Sequence, residues 1–393
     1  MARYRLQPTP DQESALLQHC AHARFIWNLA VEQNGYWRAG RKSAPRFAEQ
    51  SRQLTEARAE YAWLRAGSSI VQQQALRDFD QAMANYFRGS HRRPTWRKAG
   101  RHEGFRIVGE RVGQDVQRVS RSTGRVRIPK IGWIRFRWSR PLPSSVKSYR
   151  VTRDRAGRWH IAFAVIPAPI SGPGTGKIVG IDRGVTVSAA LSSGDLLVVP
   201  GLRDGEAKHL LRLQRHLARA ERGSARRRRL KIAIARLRAR ETDRRKDWVE
   251  KVSTDLARRF DVIRVENLKV AKMVRTARGT PTAPGRNIRQ KAGLNRAIHK
   301  AAWGRLVTRL EQKAPGRLEK INPAYTSQCC SVCGTVDAKA RESQAVFRCR
   351  SCGHTVNADV NAARNIAVGR TVTARGGLPL GVPVNREPQL LTS

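Results

Sequence analysis

Acidic residues are scarce in this 393-residue sequence. Asp and Glu number 30 against 77 Lys and Arg, which gives a formal net charge of +47 and a sequence pI near 11.6. A chain this basic repels itself unless a polyanion neutralises it. Arginine makes up 61 of the 77 cations, and its planar guanidinium grips phosphate through paired hydrogen bonds and stacks on bases. The composition therefore favours nucleic acid as the partner.

Long apolar runs are also missing. The longest candidate, Ile161 to Ile170, contains two prolines and is too short, because a membrane-spanning helix needs about 18 apolar residues. This excludes a membrane-spanning protein. The first ten residues alternate polar and apolar side chains and lack the apolar core of a secretory signal. We therefore expect a cytoplasmic protein without a membrane partner, while the sequence indicates no particular protein partner.

Cysteine is rare and unevenly placed. Five of the six cysteines crowd between Cys329 and Cys352, which in a cytosolic chain points to a metal rather than to disulfides. Two CxxC pairs separated by fifteen residues have the spacing of a zinc ribbon, in which each pair gives two thiolates to one tetrahedral ion. The predicted ligands of a structural Zn²⁺ are Cys330, Cys333, Cys349 and Cys352.

The remaining thiols and a nearby histidine are interpreted differently. Cys329 competes for the first ligand position, but only Cys330 has the two-residue gap to Cys333. Four thiolates already complete the coordination of the ion. His354 is therefore predicted to support a ligand without binding the ion itself, or to face phosphate. Cys20 lies on a stripe of apolar residues at helical spacing, so it is predicted to be a core residue.

The hydrophobic period changes along the first half of the chain. Residues 9–12, Thr-Pro-Asp-Gln, form a capping box with proline at the first helical position, and helical composition continues to about residue 100. From Phe105 the period is two, with Val126, Ile128, Ile134 and Phe136 alternating with arginines. This pattern predicts a small β-barrel or sandwich.

The second half begins after a Pro-, Gly- and Ser-rich linker at residues 167–176. We predict a three-stranded antiparallel meander, then very basic helical sequence over residues 204–259, then a fourth strand ending at Glu266. Residues 269–291 lack a period and are predicted to form a mobile loop. One helix over 294–313 and a last helix over 358–368 complete the prediction.

Three acids stand where these predicted elements begin or end. Asp182 ends the first strand after the linker, Glu266 ends the fourth, and Asp359 lies on the first turn of the last helix. Converging carboxylates repel each other unless hard cations lie between them, and Mg²⁺ takes oxygen ligands of this kind. Two such ions about 3.5 to 4 Å apart can activate water for phosphodiester cleavage. The order of the acids along the chain, on the first strand, the fourth strand and the last helix, predicts a ribonuclease-H-like nuclease. Its catalytic metal ligands would be Asp182, Glu266 and Asp359.

Around these acids the sequence resembles the TnpB family, transposon-encoded RNA-guided nucleases related to compact type V CRISPR effectors. The matching signatures are Gly180-Ile181-Asp182-x-Gly184, Glu266-Asn267-Leu268, Thr326-Ser327-Gln328-x-Cys330-Ser331-x-Cys333-Gly334, Phe347-x-Cys349-x-x-Cys352-Gly353 and Asn357-Ala358-Asp359-x-Asn361-Ala362-Ala363-x-Asn365-Ile366. They cover roughly residues 177–368. The first half agrees in length, in its Tyr4-Arg5-Leu6-x-Pro8-Thr9 opening and in its helix-then-strand order. Departures are Arg183 inside the first motif and the extra thiol of Cys329.

The resemblance implies a multidomain α/β plus all-β fold, with a RuvC nuclease domain that carries an inserted zinc ribbon, a wedge β-barrel and a helical recognition domain. The implied segments are 1–10 for the first barrel strand, 11–103 for recognition, 104–175 for the rest of the barrel, 176–325 for the nuclease domain with its basic segment 204–259, 326–356 for the ribbon, 357–370 for the last nuclease helix and 371–393 for a disordered tail. Asp182, Glu266 and Asp359 would be the Mg²⁺ ligands. All three acids are present, unlike in the repressor relatives that do not cut.

The resemblance also implies the partners, a guide RNA and double-stranded target DNA beside a short target-adjacent motif. A heteroduplex of about 20 base pairs must be held by its backbone in a cationic channel. Candidate contacts are Arg135, Arg137, Arg212, Arg215, Arg219, Arg226, Arg227, Arg228 and Arg229; the alternative for each is a solvated face. Trp37, Trp63 and Trp96 are interpreted as core residues rather than as stacking platforms.

Three other functions compete with RNA-guided cleavage. A guided binder that represses without cutting would lack part of the acid trio. An RNA-binding structural protein with a zinc ribbon would not need the acid motifs or this length. A strand-joining transposase also uses carboxylates on this fold, and an activity assay separates it from a nuclease.

Overall fold

The structure, a computed structural model, describes residues 2–36, 40, 44–101, 103–109, 115–142, 146–165 and 168–369. The chain divides into two compact units, one made of Met1–Pro167 and Lys208–Ala239, the other of Ala168–Ala207 and Arg240–Ser393. The segment predicted to be a disordered tail and Trp37 lie outside the described residues. Within those residues, no helix combines the length and the apolar character that crossing a membrane requires.

The first unit opens with a strand and four helices. They are β1 (Ala2–Gln7), α1 (Pro10–Gly35), α2 (Phe47–Glu60), α3 (Ala62–Ala66) and α4 (Ser69–Phe87). The predicted capping box is confirmed, since Thr9 Oγ1 accepts from the N–H of Gln12 while the Gln12 side chain accepts from the N–H of Thr9. Cys20 lies buried on the inner face of α1, and burial raises the pKa of its thiol, as expected of a core residue.

A seven-stranded antiparallel sheet completes this unit. Its further strands are β2 (Gly104–Val108), β3 (Val116–Arg118), β4 (Thr123–Ile128), β5 (Gly132–Arg137), β6 (Ser148–Arg153) and β7 (Trp159–Phe163). The order is β2-β6-β7-β1-β5-β4-β3. The chain's first strand therefore sits inside a sheet built from residues beyond 100. The inward side chains of this sheet include Tyr4, Phe136 and Phe163, which are buried, and the ring of Tyr4 packs edge-to-face against the other two.

The arginine-rich stretch forms two helices, α5 (Asp204–Arg219) and α6 (Ala225–Arg259). The division between the two units passes through both of them. Arg227 Nη1 donates to the carbonyl oxygens of Leu217 at 2.7 Å and Ala220 at 2.8 Å. Its guanidinium thereby caps the C-terminal end of α5, where backbone carbonyls lack partners within the helix.

The second unit contains a five-stranded mixed sheet. Its strands are β8 (Ile178–Asp182), β9 (Ala189–Leu191), β10 (Leu196–Leu197), β11 (Val262–Glu266) and, after α7 (Val270–Met273), α8 (Ile288–Lys300) and α9 (Trp303–Lys313), β12 (Leu318–Ile321). The order is β10-β9-β8-β11-β12, with the predicted antiparallel meander and with β11 parallel to both β8 and β12. A two-stranded ribbon, β13 (Val346–Arg348) and β14 (Thr355–Asn357), leads into the last helix, α10 (Ala358–Val368).

The two faces of this sheet have different neighbours. Val179 and Ile181 are buried with side chains of α6 and α9 in one apolar core. Because strand side chains alternate between faces, Gly180 and Asp182 share the opposite face, where α10 lies. A Cβ built on Gly180 would come within 2.0 Å of the carbonyl oxygen of Ala363. Glycine at this position is what lets α10 rest directly on the backbone of β8.

The structure contradicts two predictions and bears out a third only in part. The helix predicted over residues 294–313 is two helices, because Ala302 adopts a left-handed conformation between them. The segment predicted to be a loop is irregular over residues 274–287, but it also contains α7, whose Val270 and Met273 pack against the buried cluster of Ile298, Ala301 and Trp303. Trp63 and Trp96 are not core residues, since 46% and 55% of their surfaces are exposed.

Candidate functional site

Two of the three predicted acids lie side by side at the end of the sheet. Ile181 of β8 pairs with Val265 of the parallel strand β11, so the next residues, Asp182 and Glu266, end neighbouring strands. In each strand, the residue two positions before the acid contacts α10: Gly180 precedes Asp182, and Arg264 precedes Glu266. Gly180 lies beneath this helix, and Arg264 Nη1 donates to the carbonyl oxygen of Ala367 at 2.6 Å. Strand alternation therefore places both carboxylates on the α10 face.

The third acid is carried by α10 itself. Asn357 caps this helix, its Oδ1 accepting from the N–H groups of Asp359 at 3.0 Å and Val360 at 3.2 Å. The cap begins the helix at Ala358 and leaves Asp359 on its first turn. A Cβ built on Gly184, just beyond β8, would lie 3.8 Å from Asp359 Oδ2. The last helix thus brings Asp359 to the strand end that bears Asp182.

The charges of Glu266 and Asp359 both act on Asp182. Burial, and then the charges of Glu266 and Asp359, raise the pKa of Asp182 to about 7. Burial also raises the pKa of Glu266, opposed by a hydrogen bond from Thr326 and by the charge of Arg183. The site therefore holds excess negative charge that a cation would relieve.

The structure adds polar residues that sequence reasoning missed. Arg341 Nη2 donates to Asp359 Oδ1 at 2.9 Å, and Thr326 Oγ1 donates to Glu266 Oε1 at 2.8 Å. The buried Arg183 donates to the carbonyl oxygen of Glu266 and so links the ends of β8 and β11. Thr326 stands in a motif recognised above, but no spacing rule gives it this role, and Arg341 lies in a polar stretch without a motif.

The donor set fits hard divalent cations. Carboxylate oxygens are the ligands that Mg²⁺ prefers, and three of them converge on a site with one buried arginine. Their oxygens are not all within 4.8 Å of one another, a spacing that only the four-cysteine cluster reaches among the described residues. The ligand oxygens around two ions that are about 3.5 to 4 Å apart are spread over a larger distance than the ligand oxygens around a single ion.

The four predicted thiols form a compact metal-binding cluster. The Sγ atoms of Cys330, Cys333, Cys349 and Cys352 all lie within 4.8 Å of one another. Cys330 and Cys352 are 3.8 Å apart, and Cys333 and Cys349 are 3.5 Å apart. Zn–S bonds of about 2.3 Å in a tetrahedron separate sulfur atoms by about 3.8 Å. The cluster matches a structural zinc site.

The predicted arginine contacts are mostly on the surface. Arg135 and Arg137 are exposed on β5, and Arg212, Arg215, Arg219, Arg226, Arg228 and Arg229 are exposed on α5 and α6. Arg227 differs, because it is half-buried and caps α5. These positions remain predicted nucleic-acid contacts.

Three family models match parts of the chain. They are "Helix-turn-helix domain" of OrfB_IS605 over residues 2–42, "Probable transposase" OrfB_IS605 over residues 163–277 and "Cas12f1-like, TNB domain" over residues 303–366. The second contains Asp182 and Glu266, and the third contains Asp359 and all four clustered cysteines.

Some relatives match nearly the whole chain, and others match part of it. "Putative RNA-guided DNA endonuclease InsQ" of Escherichia coli (strain K12) is 35% identical over 98% of this chain and 96% of its own length. A protein of Streptomyces pristinaespiralis with the name "Putative RNA-guided DNA endonuclease" is 33% identical over 95% and 90%. A "TnpB-like protein" of Aquifex aeolicus (strain VF5) is 34% identical over 30% of this chain and 37% of its own length.

The chain shares its fold with a solved structure. The protein in "Cryo-EM structure of the Cas12f1-sgRNA-target DNA complex" matches with a TM-score of 0.58 and 15% identity, over 91% of this chain and 83% of that one. This chain therefore has the fold of that Cas12f1 protein, with the RuvC-type nuclease domain that the sequence predicts. Together, the family models and the near full-length relatives show that this chain belongs to the TnpB family.

Proposed function

We propose that this protein is an RNA-guided DNA endonuclease that cuts double-stranded DNA complementary to a bound guide RNA, next to a short target-adjacent motif. The observation that carries the proposal is the convergence of Asp182, Glu266 and Asp359 at one end of the sheet. Relatives over nearly the full length carry the name of this activity, and +47 of net charge suits two polyanionic partners.

The proposed reaction is hydrolysis of a phosphodiester bond. Asp182, Glu266 and Asp359 would hold Mg²⁺, which supplies an activated water and stabilises the leaving oxygen. Arg341 lies beside Asp359, where its guanidinium can also bind a phosphate oxygen of the cut strand. Fixed positive groups aimed at developing negative charge lower the barrier without reorganisation. Arg183 links the backbones of the two strands that carry Asp182 and Glu266.

We assign the four-cysteine cluster to a structural Zn²⁺ and the nucleic-acid contacts to exposed cations. The implied segment boundaries, from the first barrel strand to the ribbon at 326–356, remain part of this proposal. A strap of residues 91–101 adds a candidate contact to the arginines named above. It contains Arg92, Arg93, Arg97, Lys98 and Arg101 without any acid, and it presents Trp96 to solvent.

The test uses the purified full-length chain. We expect it to carry a discrete RNA, which sequencing identifies, and to cut duplex DNA complementary to that RNA only when Mg²⁺ is added. The Asp182→Asn variant should bind RNA and target as the parent does and should cut at least a hundredfold more slowly. The matched control is Asp195→Asn, an exposed acid in a turn of the same sheet, which should keep the parent rate.

The rival functions give different results in the same assay. Target binding without cleavage by the parent protein would support a guided repressor. Joined strands in place of free ends would support a transposase. Cleavage by Asp182→Asn at the parent rate would contradict the assignment of the centre.

A further inference from the structure

The first residue of the ribbon contacts one of the proposed metal ligands. Thr326 is buried, and its hydroxyl donates to Glu266 Oε1 at 2.8 Å. The same hydroxyl lies 3.1 Å from the carbonyl oxygen of Pro323. A glutamate side chain has three rotatable bonds, so an oriented donor on one carboxylate oxygen restricts where the other oxygen points.

Thr326 is itself held by α10. Asn365 Nδ2 donates to the carbonyl oxygen of Thr326 at 2.8 Å and to that of Cys329 at 2.7 Å. Asn361 Nδ2 donates to the same Cys329 oxygen at 2.7 Å, and its Oδ1 accepts from the N–H of Ser331 at 2.9 Å. Both asparagines are buried. The two amides therefore hold the backbone on both sides of Cys330, a predicted zinc ligand.

These bonds connect the cluster of thiols to two of the acids. α10 carries Asp359 on its first turn and the two asparagines on the following turns. The clamped backbone then places the Thr326 hydroxyl on Glu266. Buried networks in which every amide finds partners favour one arrangement of the chain, because an unmade bond in the interior is costly.

We propose that Thr326 is a positioning residue for Glu266, and that Asn361 and Asn365 hold it in place through the first zinc knuckle. This inference rests on the proposed role of Glu266 as a ligand of a divalent cation. Without the hydroxyl, Glu266 gains rotational freedom that cation binding must then remove. The ribbon thereby tunes the affinity of the nuclease centre for its cation, in addition to folding around its own ion.

The experiment compares Thr326→Val, which removes the hydroxyl at nearly constant shape, with Thr326→Ser, which keeps it. Thr355→Val is the matched control, because Thr355 lies in the same ribbon and its hydroxyl contacts the carbonyl oxygen of Gly353 instead of a carboxylate. Binding of Mn²⁺ as a probe for Mg²⁺ is measured by electron paramagnetic resonance. Zinc content is measured by mass spectrometry, and cleavage is followed against Mg²⁺ concentration.

We expect Thr326→Val to weaken Mn²⁺ binding and to raise the Mg²⁺ concentration for half-maximal cleavage, each by about tenfold. Zinc content and the rate at saturating Mg²⁺ should stay at the parent level. Thr326→Ser and Thr355→Val should bind Mn²⁺ within about twofold of the parent.

Mn²⁺ binding by Thr326→Val within twofold of the parent would overturn the inference. So would a loss of zinc that accompanies the loss of Mn²⁺, because the residue would then act on ribbon folding. If the parent binds Mn²⁺ but cuts no DNA, the proposed function fails while the Mn²⁺ measurements still decide the role of Thr326.

Discussion

Arg341 donates a hydrogen bond from Nη2 to Oδ1 of Asp359 at 2.9 Å, although Asp359 lies eighteen positions further along the chain, beyond both strands of the ribbon. The side chain of Asp359 is largely buried and that of Arg341 is partly exposed. A cation that touches a proposed metal ligand while facing solvent is placed to meet a phosphate that approaches the same site.

The first prediction concerns this arginine. Arg341→Ala should slow single-turnover cleavage of target DNA by about a hundredfold, the scale seen when one electrostatic donor to a transition state is removed. The cleavage rate of Arg341→Lys should lie between the rates of the parent and of Arg341→Ala, because lysine keeps the charge and loses the fork geometry of the guanidinium. Arg350→Ala is the control, since Arg350 pairs with Asp337 in the same ribbon, away from the acids. Equal rates for the two alanine variants would refute the role.

The second prediction concerns pH. Asp182 faces Glu266 on β11, Asp359 on α10 and the cations Arg183 and Arg341, and its pKa rises from 3.8 to about 7. An acid whose pKa is raised in the folded state stabilises the fold below its unfolded pKa and loses this contribution as pH rises. Without Mg²⁺, ionisation of Asp182 should therefore lower the unfolding temperature by a few degrees between pH 4 and 7, relative to a protein that lacks this carboxyl.

Calorimetry of the parent and of Asp182→Asn checks this expectation in buffers free of Mg²⁺ and of chelators, so that zinc is retained. The unfolding temperature of the variant, relative to that of the parent, should rise between pH 4 and 7, because the variant lacks the titrating group. Added Mg²⁺ should stabilise the parent more at pH 8 than at pH 5, since it binds the ionised carboxylates. Identical profiles for the two proteins would show that Asp182 does not titrate in this range.

The acids and thiols were predictable because their chemistry is tied to local pattern. Asp182 and Glu266 each end an apolar strand, and strand alternation with parallel neighbours suffices to bring them together. The zinc ligands follow from the spacing of two CxxC pairs. In both cases the residues that carry the chemistry stand in short recognisable patterns, a strand end or a CxxC pair.

Other features depend on contacts that no local pattern encodes. Arg341 reaches Asp359 only because the ribbon folds back over α10. The prediction of a core position for Trp96 is wrong because the backbone on both sides of it is hydrogen-bonded to α1, through Trp27 and Asn28. The aperiodic segment after Glu266 contains α7 because Val270 and Met273 find apolar partners in the cluster of Ile298, Ala301 and Trp303. Tertiary packing decided each of these outcomes.

The third prediction concerns the packing of α10 on β8. Gly180→Ala should destabilise the unit that carries the acids by about 3 kcal/mol, the upper range for added volume in a packed core, because its Cβ would lie 2.0 Å from a carbonyl oxygen and 2.3 Å from the amide nitrogen of Ala367. Gly201→Ala is the control, as a Cβ there meets nothing within 4 Å. Urea unfolding measures both. Similar stabilities for the two variants would contradict the close approach of α10.

The fourth prediction concerns Trp96, whose backbone neighbours are fixed to α1. The carbonyl oxygen of Thr95 accepts from Trp27 Nε1 at 2.9 Å, and Arg97 exchanges two hydrogen bonds with Asn28. The Arg97 guanidinium also lies 3.5 Å from the centre of the Trp27 ring. With both neighbours held against the helix, the indole is directed into solvent, beside exposed cations. This arrangement suits base stacking, which contributes about 1–3 kcal/mol per base.

Trp96→Ala should therefore weaken binding of a short single-stranded oligonucleotide by about tenfold at fixed salt, and Trp96→Phe should retain most of the affinity. An oligonucleotide with abasic sites keeps the phosphates and lacks the bases, so the parent and Trp96→Ala should bind it equally. Fluorescence anisotropy measures all four combinations of parent or alanine variant with intact or abasic strand. If Trp96→Ala loses the same affinity for the intact and the abasic strand, Trp96 acts by maintaining the conformation of the strap and does not stack on bases, because only stacking depends on the presence of a base.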